Sequence, residues 1–294
     1  MDPSPEPKMT EATFTLGGEV TIPRMGFGAM RLTGDGVWHW PKDRETAKGV
    51  LRSALDHGIR LIDTADAYGP ETNEYLIAEV LKDHRPDGVI VATKGGLVRG
   101  GPSDWRRDGR PDHLKRAVKN SLRRLEVERI DLYQLHAIDP EVPLEDSLGA
   151  IRELQDEGLI RFVGVSNFGI VELKRARQIV DVISVQNRYN LGDRNQEPVL
   201  EVCQREGIAF IPWYPLAVGE LADEPVLQEI AADKGATPLQ IALSWLLHRS
   251  SVMLPIPGTS SADHLAENWA ARKIELTSDD LQKLDTICPV TPAR

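Results

Sequence analysis

Eight short apolar runs, each separated from the next by a helical pattern, constrain this chain more than any other feature. The runs are MGFGAM (25–30), RLIDTA (60–65), GVIVATK (88–94), IDLYQLH (130–136), RFVGVS (161–166), ISVQN (183–187), IAFIPW (208–213) and VMLPIPG (252–258). Several are continuously apolar rather than alternating, as expected for parallel strands covered on both faces. Between them lie amphipathic segments. In DRETAKGVLRSALDHG, Val50, Leu51, Ala54 and Leu55 recur at helical spacing ahead of a glycine stop. ETNEYLIAEVLKDH, PDHLKRAVKNSLRRLEV, LEDSLGAIRELQDEG, IVELKRARQIV, NQEPVLEVCQREG and ADHLAENWAARK follow the same pattern, and an extra helix, TPLQIALSWLLHR, precedes the eighth run. This alternation predicts an α/β fold, a (β/α)8 TIM barrel, as one domain over residues 1–294. A doubly wound open sheet is the competitor; no Gly-x-Gly-x-x-Gly opens the first helix to support it. Ahead of the barrel, ATFTLGGEVTIPRMG alternates around Gly17 and Gly18, which predicts a short N-terminal β-hairpin. Residues 1–11, polar and proline-rich, are expected to be flexible.

Charge and cysteine usage exclude several functions. A formal net charge of −10 repels phosphate backbones, so no nucleic-acid partner is expected. The two cysteines, Cys203 and Cys288, form neither a metal-type spacing nor a disulfide framework. Cys203 lies in an amphipathic helical pattern and reads as a small apolar filler. The N-terminus lacks the basic start and apolar run of a signal peptide. No apolar stretch reaches the roughly 18 residues that a membrane span needs. A cytoplasmic protein, a monomer by default and without a membrane partner, is therefore expected. The longest irregular stretch, GGLVRGGPSDWRRDGRP (95–111), reads equally as a binding loop or as a solvated surface loop.

In a barrel the functional site forms at the C-terminal ends of the strands. The polar residues there are Asp63 with Tyr68 in the following loop, Lys94, His136, Ser166 with Asn167, and Gln186; Trp213 ends the seventh run. Each has a plain reading as a cap, a packed ring or a hydrogen-bonded core group. Lys94 is the exception, since a lysine ending an apolar strand must find a partner or lose its charge. Asp63 is the nearest candidate partner. The pair would set a cation beside the Tyr68 hydroxyl, which stabilises phenolate and is expected to lower its pKa of about 10. A tyrosine tuned in this way gives up and regains a proton. His136 would donate to a carbonyl oxygen of a substrate and fix its orientation. The chain offers no nucleophile and no metal cluster, so the group attacking the carbonyl carbon is expected from a cofactor.

The segments DTADAYG, RRLEVERIDLYQLH, VGVSNF, VQNRYN and PIPGTSSADHLAEN, in that order, resemble those of the aldo-keto reductases, and the resemblance runs from about Phe14 to Leu284. It implies a catalytic tetrad of Asp63, Tyr68, Lys94 and His136, with Tyr68 as general acid in the reduction of an aldehyde or ketone. It implies that Ser166, Asn167 and Gln186 hold a nicotinamide carboxamide. Trp213 would stack on the nicotinamide ring, where the family often has tyrosine, with Pro215 and Leu216 beside it in IPWYPL. The adenosine phosphate would rest on Gly258, Thr259, Ser260, Ser261 and His264 at a helix N-terminus. Glu267 and Asn268 would take the adenine. NADPH is the implied cofactor. Relatives that use it often carry a lysine and an arginine where this chain has Gly258 and His264, so NADH stays open.

Trp38 and Trp40 in GDGVWHWPKD, and Trp105 in the third loop, are the candidates for lining a substrate pocket. GFGAMRLTGDGVW, IPWYPL and IPGTSSADHLAEN resemble a bacterial branch that includes pyridoxal reductases, which makes pyridoxal one candidate substrate. Two other readings remain at this point. A cofactor-binding regulatory barrel with little turnover would keep the cofactor residues and lose the tetrad. A phosphate-binding isomerase would need a glutamate at a strand end, and none of the eight runs ends in one.

Overall fold

The computed structural model describes residues 13–288 other than Ser103, so the expectation for 1–11 lies outside the described residues. The chain opens with an antiparallel hairpin, β1 (Thr13–Leu16) and β2 (Val20–Pro23). Then come β3 (Phe27–Gly28), β4 (Leu61–Asp63), β5 (Ile90–Gly95), β6 (Leu97–Gly101), β7 (Asp104–Arg107), β8 (Ile130–Leu135), β9 (Ile160–Ser166), β10 (Val182–Arg188) and β11 (Ala209–Trp213). The helices are α1 (Arg44–Asp56), α2 (Thr72–Asp83), α3 (Pro111–Leu125), α4 (Leu144–Asp156), α5 (Ile170–Ala176), α6 (Glu197–Glu206), α7 (Pro225–Lys234), α8 (Pro238–Arg249), α9 (Ala262–Ala270) and α10 (Ser278–Asp285).

Seven strands form one parallel sheet in the order β3-β4-β5-β8-β9-β10-β11, an arrangement of the TIM-barrel type. The eighth apolar run differs from expectation in forming no regular strand. It carries a single parallel bridge, Phe210 to Met253. The run is nevertheless bonded on both sides. Phe210 N donates to Val252 O (2.9 Å) and Leu254 N to Phe210 O (2.8 Å). On the other side, Gly26 N donates to Pro255 O (2.9 Å) and Gly28 N to Pro257 O (3.5 Å). Pro255 and Pro257 lack an N–H, so the run accepts at alternate residues where a ladder would also require it to donate.

The hairpin forms where the sequence places it. Gly17 and Gly18 take left-handed φ of 55° and 71°, and Glu19 N closes the turn on Leu16 O (3.0 Å). Leu16 and Ile22 are buried against Leu61, Ile90, Leu132 and Phe162 near the N-terminal ends of the barrel strands. The hairpin thus closes the end opposite the candidate site. The helices bury the predicted faces. In α1 these are Ala47, Val50, Leu51, Ala54 and Leu55, behind an Asp43 cap that accepts from Thr46 N at 2.9 Å. Cys203 is fully buried, and burial pushes its thiol up to about 12, as befits a filler. Among the described residues, no helix is long and apolar enough to cross a membrane.

The stretch 95–111 departs from its irregular reading. β6 and β7 form an antiparallel hairpin with Arg99 opposite Trp105. Gly100 and Gly101 end β6, where the register shifts between Arg99 and Gly101, and the charged residues of WRR share β7 with Asp104, which ion-pairs with Arg106.

Candidate active site

Register places the polar groups in layers inside the barrel. Lys94 lies level with Gln134 on β8, Gln134 with Gly164 on β9, and Gly164 with Ser184 on β10. Gly164 is needed there. A Cβ would fall 2.2 Å from Ser184 Oγ and 3.0 Å from Gln134 Cγ, so only glycine leaves room for the Gln134 side chain. Asp63 ends β4 one layer lower, level with Ala92.

Lys94 is fully buried and its Nζ donates to Asp63 Oδ2 (2.7 Å), to Thr64 O (2.7 Å) and toward the Tyr68 hydroxyl (3.4 Å). All three of its donors therefore have partners, which is the condition for burying an ammonium. Burial pulls its pKa down, but Asp63 and Tyr68 together outweigh this and hold the ammonium above its ordinary value. The second Asp63 oxygen accepts from Gln186 Nε2 (2.8 Å) and, at longer range, from Gln134 Nε2 (3.5 Å).

The Tyr68 ring is buried and stands edge-on to His136, with centroids 5.9 Å apart. Burial raises the Tyr68 pKa, Lys94 opposes this, and Asp63 adds to it; the net shift is upward. The lowered pKa expected from the sequence is therefore corrected. The cation acts in the expected direction, but desolvation of the phenolate is the larger effect. The hydroxyl keeps its proton, as a proton donor must. His136 is buried, and burial first and Lys94 second hold its pKa well below the ordinary range, so the ring is neutral. One nitrogen of a neutral imidazole is a donor.

The loop bearing Tyr68 is anchored at its end. Asn73 Nδ2 donates to Ala29 O (2.9 Å) and Asn73 Oδ1 accepts from Thr64 Oγ1 (2.6 Å). The fully buried Glu74 takes Thr93 Oγ1 and Arg124 Nε, both at 2.6 Å. These pairings hold the start of α2 against β4, β5 and α3.

At the opposite rim Asn167, with a left-handed φ of 62°, donates to His136 O (3.0 Å) and Ser166 Oγ (3.1 Å) and accepts from the Trp213 indole (3.0 Å). Tyr214 and Ala217 are also left-handed (φ 64° and 47°), on either side of Pro215 and Leu216. Strained non-glycine residues of this kind cluster at binding sites. After the eighth run, Ser261 caps α9 through His264 N (3.3 Å) and Thr259 Oγ1 accepts from Ser261 N (3.0 Å). Gly258, Ser260 and His264 are exposed there. Glu267 is held by Thr237 Oγ1 (2.6 Å), and Asn268 is buried.

A family model for the aldo/keto reductase family matches residues 24–288. The chain belongs to this family. Its members are NAD(P)H-dependent oxidoreductases acting on carbonyl groups. An uncharacterized oxidoreductase of Schizosaccharomyces pombe is 51% identical over 269 residues, covering 91% of this chain and 87% of the relative. The pyridoxine 4-dehydrogenase of Escherichia coli is 40% identical over 285 residues, covering 95% and 99%. An aldo/keto reductase from Klebsiella pneumoniae, solved with NADP and acetate, matches with a TM-score of 0.81 at 27% identity, over 97% of this chain and 98% of its own.

In this aldo-keto reductase the structure brings Asp63, Tyr68, Lys94 and His136 together, and Ser166, Asn167 and Trp213 into a second group beside them. Gln186 lies beside the tetrad, where its amide nitrogen donates to Asp63 (2.8 Å). Of the three tryptophans, Trp105 stands edge-on to Tyr68 at 6.4 Å and Trp38 bridges to Gly69. Trp40 does not join them; it packs against the apolar cluster of the first helices with Arg44 stacked on it at 3.8 Å. Sequence reasoning missed Gln134, Thr64 O and Glu74. A polar residue inside an apolar run was the available signal for Gln134.

Removing Lys94 leaves Asp63 a lone buried carboxylate, so Lys94→Met is expected to lower stability by about 3–5 kcal/mol. Because the folded pKa of Lys94 is raised, its contribution is complete below the ordinary value of 10.5 and is lost as pH rises through the folded value. Urea unfolding of both proteins checks this. The stability difference should hold constant through neutral pH and shrink only in strong alkali; a difference that vanishes near neutrality contradicts the pairing.

Proposed function

We propose that this chain is an NADPH-dependent aldo-keto reductase that reduces aldehydes or ketones to alcohols, with Tyr68 as the general acid. One observation carries the reading: the protonated Tyr68 hydroxyl lies 3.4 Å from Lys94 Nζ and beside a neutral His136 at the strand ends. The donor set supports a nicotinamide dinucleotide. Ser166 and Asn167 cluster beside the tetrad, and Asn167 pins a flat indole, Trp213, that suits stacking. The hydroxyls of Thr259, Ser260 and Ser261 lie at the N-terminus of α9, where anions are favoured.

NADPH, when bound, supplies the hydride to the carbonyl carbon. His136 donates its N–H to the carbonyl oxygen and sets its orientation. Tyr68 gives its proton to that oxygen as negative charge builds there, and Lys94 stabilises the phenolate left behind. Asp63, held by Gln186, keeps Lys94 charged and in place. Gln186 therefore links the cofactor side of the site to the ion pair.

The 40% identical relative named pyridoxine 4-dehydrogenase supports pyridoxal, an aromatic aldehyde, as the first substrate to test. Trp38 and Trp105 are the aromatic residues near Tyr68 that would meet it. The reading treats the chain as one barrel domain acting as a cytoplasmic monomer, which sedimentation and cell fractionation check. Oxidation of NADPH and NADH with an aldehyde panel tests the activity and separates it from a regulatory barrel, which would bind cofactor without turnover.

Two outcomes are expected. Tyr68→Phe keeps the ring and removes the transferable proton, so kcat should fall at least about 100-fold with NADPH affinity unchanged; near-normal turnover would rule out Tyr68 as the acid. His264→Arg adds a permanent cation beside the α9 N-terminus and should raise affinity for NADPH over NADH in a fluorescence titration. An unchanged ratio would remove His264 from the 2′-phosphate.

A further inference from the structure

Arg99 lies on β6 and is joined to three loops at once. Its Nη1 donates to the carbonyls of Val37 (3.0 Å) and Ala67 (3.2 Å). Its Nη2 donates to Gly36 (3.0 Å), Gly101 (3.2 Å) and Pro102 (2.5 Å). These carbonyls belong to the loop after β3, the Tyr68 loop after β4, and the end of β6 with the residue that follows it. The guanidinium also lies 3.6 Å from the Trp105 ring centroid and 5.4 Å from that of Trp38. The nearby carboxylate of Asp104 is taken by Arg106, so Arg99 spends its charge on carbonyl dipoles and indole faces.

The first loop has reason to need such a fastening. Val37 and His39 are left-handed at φ 57° and 58°, a conformation that costs non-glycine residues energy and persists only under outside restraint. Arg99 grips the carbonyl of Val37 and the one before it. Gly69 N, next to Tyr68, bonds the same Val37 oxygen (3.2 Å). Trp38 is thereby tied to the Tyr68 loop from two directions, and Trp105 already stands edge-on to Tyr68.

We propose that Arg99 is a positioning residue for substrate specificity: it fastens Trp38 and Trp105 into a preformed aromatic rim beside Tyr68, which favours flat aromatic carbonyl substrates over small aliphatic ones. The inference rests on the reductase reading above. A lysine in its place is a point charge with no planar fork, and it cannot both span the three loops and stack on the indoles.

The test is steady-state reduction of benzaldehyde and propanal by wild type, Arg99→Met and Arg99→Lys, with NADPH affinity measured separately by fluorescence titration. Arg99→Met should raise KM for benzaldehyde by about tenfold or more, while kcat, the KM for propanal and NADPH affinity stay near wild type. Such a split marks lost binding that is equal in ground and transition states. Arg99→Lys should not restore the benzaldehyde KM. Equal KM changes for both aldehydes, a collapse of kcat at unchanged KM, or full rescue by lysine overturns the proposal. If Arg99→Met does not fold, Trp105→Ala, at a 40% exposed position, must give the same selective rise. A wild type that reduces neither aldehyde counts against the reductase reading and this inference together; an active wild type with an unselective Arg99→Met counts against this inference alone.

Discussion

A fully buried lysine can stay charged only if every donor on its ammonium is matched, and the site is arranged around meeting that condition for Lys94. Asp63 supplies the counter-charge at 2.7 Å, Thr64 supplies a carbonyl at 2.7 Å, and the Tyr68 hydroxyl completes the set. Asp63 is costly to bury in turn, and its second oxygen accepts from Gln186 and more distantly from Gln134. Gln134 has room because its neighbour across the sheet is Gly164. A chain of requirements thus runs from one ammonium across five barrel strands. Such a pair adds little to net stability. Its consequence here is electrostatic: the cation lowers the cost of a phenolate at Tyr68.

The same ammonium adds to the effect of burial on His136. Burial and Lys94 together disfavour the imidazolium, so His136 is a neutral donor. Tyr68 and His136 therefore present two protonated, uncharged donors beside a permanent cation. That combination suits a carbonyl oxygen as it gains negative charge. The outer framework keeps this group in register. The N-terminal hairpin packs Leu16 and Ile22 against the far end of the barrel, and Glu74 with Arg124 holds the start of α2 beneath the Tyr68 loop.

Much of this was legible in the sequence because it depends on local pattern. Eight apolar runs with helical spacers specify the barrel type, and polar residues at run ends mark its active rim. Lys94 stood out because its position makes demands that a loop residue would not. What was not legible depends on long-range placement. The run 252–258 is apolar enough for a strand, but Pro255 and Pro257 leave it without a regular ladder. Trp38 and Trp40 are two residues apart in VWHW, and nothing local says that only the first is tied to the Tyr68 loop. Arg99 sits in a glycine-rich stretch that reads as irregular, yet its five carbonyl partners come from three segments up to 63 residues away. The net direction of the Tyr68 pKa could not be read either, since it turns on how completely water is excluded.

The central claim is that Lys94 acts on the Tyr68 proton. The most direct measurement is an ultraviolet difference titration of phenol ionisation, with Tyr68→Phe subtracted to isolate Tyr68, repeated with Lys94 replaced by methionine. It reads the proton itself and needs no turnover. The account predicts that Tyr68 ionises at a distinctly higher pH once Lys94 is gone. Ionisation at the same or a lower pH without Lys94 would contradict it.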